Sequence, residues 1–149
     1  LKVEVVKGTV AQIDAIAQLF NSYRVFYGQK SDLDLAKNYI YERLDNKESV
    51  IFLATDGEGQ PLGFTQLYPS FSSISAKRSW ILNDLFVSEQ ARGVGVGRVL
   101  MNAATQHAIE TGANGLSLET ARDNFVAQKL YESLGYQRDN AYFSYFLSV

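Results

Sequence analysis

The chain has 149 residues, which suits one domain with a sizeable core. Sixteen acidic and fourteen basic residues leave a net charge of −2, with no Lys/Arg-rich block, which argues against nucleic acid or an anionic membrane as partner. Cysteine is absent, so disulfides, thiol catalysis and thiolate metal sites are excluded; His107 is the single histidine, so a catalytic triad or a metal site built on several histidines is not expected, and no metal is expected. No apolar run reaches transmembrane length and the start lacks the charged-then-apolar plan of a signal peptide, so the expectation is a soluble, cytoplasmic protein; the missing initiator Met fits a processed or trimmed start.

In chain order, Leu1 to Lys7 alternates enough for a strand, with Val3 and Val5 on one face. Thr9 is placed to cap a helix over Val10 to Tyr27, whose apolar stripe is Ile13, Ile16, Ala17 and Phe20. Gly28 interrupts it. Ser31 or Asp32 caps a second helix with Leu35, Tyr39, Ile40 and Leu44 inward. Val50 to Thr55 reads as a strand, the Asp56–Pro61 stretch as a strong turn, and Leu62 to Leu67 as the returning hairpin partner. Tyr68 to Ser73 reads as a strand end running into a loop. Ser79 to Val87 is the next strand, and strand alternation sends Asn83 and Asp84 to opposite faces. A helix from Val96 to Glu110 carries His107 on its half-buried side. A strand at Leu116 to Thr120, a helix from about Asn124 to Leu134 closed by Gly135, and an aromatic strand from Tyr142 to Leu147 complete the chain. Repeats, low-complexity segments and linkers are absent from the sequence, so residues 1–149 are expected to form a single domain.

The stretch Gln90-Ala91-Arg92-Gly93-Val94-Gly95-Val96-Gly97-Arg98 lies between a strand and a helix. Its glycines expose backbone N–H groups at a helix N-terminus, where the macrodipole favours negative charge. That is a phosphate cradle, with Arg92 and Arg98 at its edges; a ligand-free strand-to-helix turn is the plain alternative. A P-loop is excluded because Arg98 and Val99, not Lys and Ser/Thr, follow Gly97. A dinucleotide fingerprint is excluded because Arg98 or Leu100 stands where its third glycine belongs.

What remains is Arg-x-x-Gly-x-Gly at Arg92, Gly95 and Gly97, which resembles the pyrophosphate loop of the GNAT (Gcn5-related N-acetyltransferase) superfamily. A second stretch, from Asn124 through Ala127, Leu130, Tyr131, Glu132 and Gly135 to Tyr136, resembles that family's other signature, Asn-x-x-Ala-x-x-Leu-Tyr-Glu-x-x-Gly-aromatic. The two motifs come in the family's order, and the resemblance is clear from Ile81 to Tyr136. It implies an α/β (α+β) GNAT fold. The central sheet would be mixed, mostly antiparallel, of 6–7 strands splayed between strands 4 and 5, with about four helices on both faces. It further implies acetyl-CoA as cosubstrate and CoA as product.

Carried over residue by residue, Leu85, Phe86 and Val87 offer backbone groups to the pantetheine arm and the thioester carbonyl, an oxyanion-type role. Gly93, Val94, Gly95, Val96, Gly97, Arg92 and Arg98 hold the pyrophosphate, and Asn124 binds pantetheine or simply caps its helix. Tyr131 corresponds to the family's acid for the departing thiolate, a task suited to a phenol. Otherwise it is an aromatic residue of an amphipathic helix. The base is open. Asn83 and Asp84 interrupt an apolar strand, where buried polar groups need partners. In polyamine-acetylating relatives a glutamate stands at the position of Asn83, which takes no proton. Asp84 or Glu119 acts through water, or is structural.

The acceptor site is implied to involve the first two helices, the hairpin ends and the C-terminal strands. Tyr27, Tyr68, Asn83 and Glu119 are its candidate residues, and Arg24 either binds a substrate carboxylate or is a solvated helix arginine. The resemblance leans toward small histone-, D-amino-acid- and polyamine-acetylating enzymes. The acceptor is then a small-molecule amine or a peptide lysine, and the C-terminal strand pairs across a homodimer. A non-catalytic acetyl-CoA-binding sensor or assembly module is the rival reading.

Overall fold

The structure is a computed structural model that describes residues 2–149; Leu1, the first residue of the expected opening strand, lies outside the described residues. By contacts the chain divides into two compact units, residues 1–118 and 119–149.

The first unit is built on one five-stranded sheet in the order β1 to β5: Glu4–Lys7, Val50–Thr55, Pro61–Ser72, Lys77–Val87 and Leu116–Ser117. The first four strands pair antiparallel and β5 joins β4 in parallel. On β2, Ile51 and Leu53 face one way and Phe52 and Ala54 the other, the period-two alternation of a strand covered on both sides. One side packs against α1 (Ile13–Phe26) and α2 (Leu33–Asp45) through Ile16, Phe20, Ile40, Phe64 and Phe86. The other packs against α3 (Val96–Glu110) through Val96 and Leu100, with Ala54 and Leu62 from the sheet. The sheet is mixed and mostly antiparallel, as expected, but it has five strands rather than six or seven among the described residues.

The helix boundaries follow from local chemistry. Thr9 forms a capping box with Gln12 and starts a short 3-10 turn, Val10–Gln12, that leads into α1. Asp32, not Ser31, caps α2 by accepting from the Leu35 N–H at 3.1 Å. Both α1 and α3 end in a Schellman pair at a positive-φ glycine. Gln29 N–H bonds Arg24 O and Gly28 N–H bonds Val25 O, while Ala113 N–H bonds Ala108 O and Gly112 N–H bonds Ile109 O.

Two features of β3 and β4 depart from the sequence expectation. β3 does not end near Leu67 but runs to Ser72, so Tyr68 and Pro69 lie within a long hairpin. Pro69 is tolerated because β2 ends opposite Leu67, leaving β3 an open edge beyond it. Its neighbour across the ladder, Trp80, turns its own N–H away to Gly115 O, so the proline nitrogen faces that open edge. The register then slips: Gln66 pairs with Asp84 but Leu67 pairs with Leu82, which leaves Asn83 as the extra residue of a β-bulge. The bulge breaks the alternation that was to send Asn83 and Asp84 to opposite faces. Instead the Asn83 Nδ2 donates to Asp84 Oδ1 at 3.2 Å.

β5 is shorter than the expected 116–120, and its ladder with β4 ends at the Ile81–Ser117 pair while β4 continues to Val87. In the second unit, α4 spans Phe125–Ser133; Asn124 caps it by accepting from Ala127 N–H at 3.2 Å, and Gly135 closes it with the same Schellman pair, Tyr136 N–H to Tyr131 O and Gly135 N–H to Glu132 O. The expected strand at 142–147 is not formed. Aromatic propensity alone makes no strand: an extended run needs a neighbouring edge to take its N–H and C=O groups.

Candidate active site

Two groups of candidate residues are assembled within the first unit. The first is the turn after β4. Ser88 N–H bonds Leu62 O at 2.8 Å and a single 3-10 turn, Glu89–Ala91, leads to the glycines. Gly93 and Gly95 have φ of 82° and 89°, and Gly95 is the N-cap of α3 with no side chain to cap it. The first helical bond runs from Val99 N–H to Gly95 O, so the preceding N–H groups of the first turn have no intrahelical acceptor. The loop is exposed, whereas Val96 is 1% exposed and anchors α3 in the core; only its backbone is available for binding. The donor set, an exposed helix start with Arg98 on it, fits a pyrophosphate.

Arg92 does something else. Its Nε donates to Val87 O at 3.0 Å, and its guanidinium lies 5.4 Å from the Phe26 ring centre and 5.7 Å from that of Phe86. The side chain ties the loop back to the end of β4 and to α1, and turns toward the aromatic side of the sheet. Leu85 and Phe86 pack on opposite faces of the sheet, so the pantetheine role assigned to residues 85–87 rests on main-chain groups alone.

The second group surrounds Asp84. Its side chain projects to the α1/α2 side with Phe64, Gln66 and Phe86, and the residue is 5% exposed. Gln66, fully buried, donates from Nε2 to Asp84 Oδ2 at 2.6 Å and accepts from the Ser49 hydroxyl on Oε1 at 2.8 Å. The Thr65 hydroxyl donates to the Asp84 backbone carbonyl at 2.8 Å, pinning the strand beside the bulge. Among the described residues no Lys or Arg forms an ion pair with Asp84. A buried carboxylate held only by neutral amides keeps a strong field for a cation.

Tyr68 stands on the same side, its hydroxyl 2.7 Å from that of Tyr39. Burial, then the Tyr39 hydrogen bond, then the charge of Asp84 push the Tyr68 phenol far above its ordinary value, so it stays neutral at any working pH. Arg43 lies over the Tyr39 ring at 4.4 Å and is itself held by Glu48 and Glu42. Arg24 is half-buried near the end of α1 and Tyr27 is exposed just beyond it. The sequence reading missed Ser49, Gln66 and Tyr39. The signal for Gln66 was present: Thr65-Gln66 interrupts an apolar strand as Asn83-Asp84 does.

A recess of about 450 Å³ opens between α1, the start of β3 and the Ser88–Ala91 turn. Its polar lining, Gln18, Ser22, Gln60, Ser88 and Gln90, carries no charge and includes none of the candidate site residues.

The second unit holds Glu119, Asn124 and Tyr131. The Asn124 cap uses Oδ1 and leaves Nδ2 as a donor. Tyr131 is half-buried, its ring 6.0 Å from that of Tyr136. The Tyr136 phenol is pushed up to about 12 by burial and by Tyr131. Among the described residues no cluster of His, Asp or Glu is placed to hold a metal ion, and no helix is long and apolar enough to cross a membrane.

Residues 13–136 match the family model described as the Acetyltransferase (GNAT) family. The uncharacterized N-acetyltransferase YhfO of Bacillus subtilis (strain 168) is 50% identical over 135 residues, 91% of this chain and 90% of its own. A probable acetyltransferase of Haemophilus influenzae is 30% identical, with 84% of each chain covered. A solved structure described as a probable acetyltransferase superposes with a TM-score of 0.93 at 46% identity, covering 98% of this chain and 97% of its own.

Proposed function

We propose that this chain, which belongs to the GNAT acetyltransferase family, is an N-acetyltransferase that moves an acetyl group from acetyl-CoA to a primary amine arriving as its ammonium form. The observation that carries this reading is Asp84: a buried carboxylate, held by two amides and paired with no cation among the described residues, three residues before the end of the strand that leads into the glycine loop. Residues 1–149 act as one acetyltransferase domain. The amine belongs to a small molecule such as an amino acid or polyamine, or to a peptide lysine, and Arg24, Tyr27, Tyr68, Asn83 and Glu119 are the residues proposed to meet it.

Acetyl-CoA supplies an acetyl group already activated as a thioester. The chain's groups do the rest. The N–H groups at the start of α3, with Arg98, bind the pyrophosphate, and Asn124 binds the pantetheine arm. Asp84 takes one proton from the ammonium, which frees the nitrogen lone pair for attack. Backbone N–H groups of Leu85 to Val87 stabilise the charge that develops on the acetyl oxygen. Tyr131 gives its proton to the departing sulfur and regains one from the nitrogen side. The sum conserves protons: ammonium and thioester become amide, thiol and one proton released from Asp84.

The same reading makes the protein a cytoplasmic homodimer. Its support is the run at 142–147, where Tyr142, Phe143, Tyr145, Phe146 and Leu147 are all more than four-fifths exposed and carry no charge. Light scattering at one monomer mass over a range of concentrations would remove that part of it.

The direct experiment is thiol release from acetyl-CoA across amino acids of both hands, polyamines and a lysine peptide. The protein has no cysteine and so no thiol background. Turnover on one class of amine is expected, with kcat in Tyr131→Phe lowered about 10²–10⁴-fold and acetyl-CoA affinity kept. Full activity in that variant removes Tyr131 as the acid. Tight acetyl-CoA binding with no thiol release from any amine favours the non-catalytic binding module.

A further inference from the structure

We infer that Gln66, completed by Ser49, is a positioning residue that holds Asp84 with one carboxylate oxygen turned to the incoming amine. The inference rests on the reading of Asp84 as the proton acceptor.

The two oxygens of Asp84 are treated differently. Oδ2 takes a 2.6 Å bond from the fully buried Gln66 amide, whereas among the described residues Oδ1 has the longer, 3.2 Å bond from Asn83, an exposed residue on the bulge. Oδ1 is therefore the oxygen left for a ligand. Gln66 has no freedom to exchange roles while Asp84 is charged, because a carboxylate only accepts and so fixes the amide NH₂ toward it. The amide oxygen then points into the protein, where it would be an orphan but for the Ser49 hydroxyl at 2.8 Å. Ser49, Gln66 and Asp84 thus form a chain that begins just before β2, crosses β3 and ends on β4, with every buried polar atom along it satisfied.

The cycle needs Asp84 in both states. It accepts a proton on Oδ1 and later releases it to solvent, while Oδ2 accepts from Gln66 throughout, so the chain need not rearrange as the proton arrives. Tyr68 on β3 is the group whose charge interaction with Asp84 is shown, and its phenol is held far above the ordinary range. Beyond it on α2 are Tyr39, bonded to the Tyr68 hydroxyl, and Arg43 over the Tyr39 ring, and α1 contributes Tyr23, packed on the Phe86 ring.

The test compares kcat/KM against pH for the wild type, Gln66→Met, Gln66→Glu, Ser49→Ala and Asp84→Asn, with the fastest amine of the panel as probe. Gln66→Met removes the donor; the acid limb is expected to move up, so that activity on that limb falls about tenfold while the alkaline plateau changes less than about threefold. Gln66→Glu moves the limb further in the same direction and Ser49→Ala less. ¹³C titration of the Asp84 carboxyl, assigned by its loss in Asp84→Asn, reads the same shift in acceptor-free protein and serves where turnover is too slow. In the Asp84→Asn background, Gln66→Met should have no further effect on rate, because Gln66 acts through Asp84. A uniform loss with an unmoved limb, or an equal loss in both backgrounds, overturns the positioning role and leaves Asp84 as the base. Wild-type rates from Asp84→Asn overturn both. Should Gln66→Met fail to fold, Ser49→Ala and Gln66→Glu carry the comparison.

Discussion

The glycine loop and the Asp84 cluster lie on either side of the last residues of β4 and are built by opposite means. The loop is one continuous stretch, exposed, made of backbone N–H groups at a helix start and of glycines at φ near +85°. The cluster draws Gln66 from β3, Asn83 and Asp84 from β4 and Ser49 from just before β2; Ser49, Gln66 and Asp84 are buried, and each partner is supplied by a side chain. The difference teaches what each site demands. A diffuse dianion is satisfied by dipoles that any helix start provides, so local sequence suffices. Moving a single proton at one atom, the role proposed for Asp84, requires a carboxylate oriented by groups placed around it.

Four changes break or sharpen that contrast. The largest effect is expected from Asp84→Asn, which keeps shape and loses the acceptor for the proton. It should lower kcat/KM about 10²–10⁴-fold while the acetyl-CoA dissociation constant, read by calorimetry, stays within about twofold. Loss of acetyl-CoA affinity in that variant would mean that the two regions are not separable.

Gly63→Ala strikes both at once. A Cβ at Gly63 would sit 2.6 Å from Phe86 O and 3.2 Å from the Val87 Cα, both backbone of β4. The strands must part, at roughly 1–3 kcal/mol of stability. The shift reaches the main chain proposed to meet the thioester, so kcat and acetyl-CoA affinity should fall together. A variant that melts like the wild type and keeps both would count against that role for residues 85–87.

Gly95→Ala addresses the loop alone. A φ of 89° costs an L-residue about 1–2 kcal/mol, and nothing crowds the added Cβ, so the loss is conformational. Acetyl-CoA affinity should drop about tenfold with the acid limb of the pH profile unmoved, since the Asp84 cluster is untouched. A displaced limb would show that the two regions are coupled.

The smallest effect concerns His107, on the α3 side of the sheet and far from the proton chemistry. It is 9% exposed, packed 4.8 Å from the Trp80 ring, and its Nε2 is buried without a hydrogen-bond partner. Burial, followed by the charge of Lys7, holds its pKa below the ordinary 6.5. As pH falls below 6.5 the unfolded chain takes the proton before the folded one does, so stability declines from there until the folded His107 protonates. Melting temperature should drop by a few degrees toward pH 5 in the wild type and more shallowly in His107→Leu, with the pH profile of turnover the same in both. Equal slopes in the two melting series would exclude His107 as the source.

Several elements were readable because their causes are local. The capping box at Thr9, the cap at Asp32, the glycine stops of α1 and α4 and the start of α3 at Val96 all involve residues within a turn of one another. Others depended on partners far along the chain. Tyr68-Pro69 reads as a loop entrance, yet β3 continues through it because Lys77 to Ile81 pairs with it from the other side of the hairpin. The final aromatic run reads as a strand, yet strand structure belongs to a pair of chains, not to one. Arg92 reads as a phosphate ligand, and the fold adds what its spacing does not show: its Nε donates to Val87 O and its guanidinium lies over two aromatic rings.

The sequence by itself determined the family-level picture: a glycine-rich helix start, a second motif around Tyr131, no cysteine and a single histidine, and a suspicious pair of polar residues in an apolar strand. These are properties of neighbours in the chain, fixed by backbone geometry and composition. Only the tertiary structure decided that the bulge falls at Asn83, that Asp84 therefore turns to the α1/α2 side, and that Gln66 and Ser49 stand behind it. The register of two strands sets all three, and register is decided by the burial of whole faces and the pairing of every N–H and C=O along the ladder, which no single stretch of residues encodes.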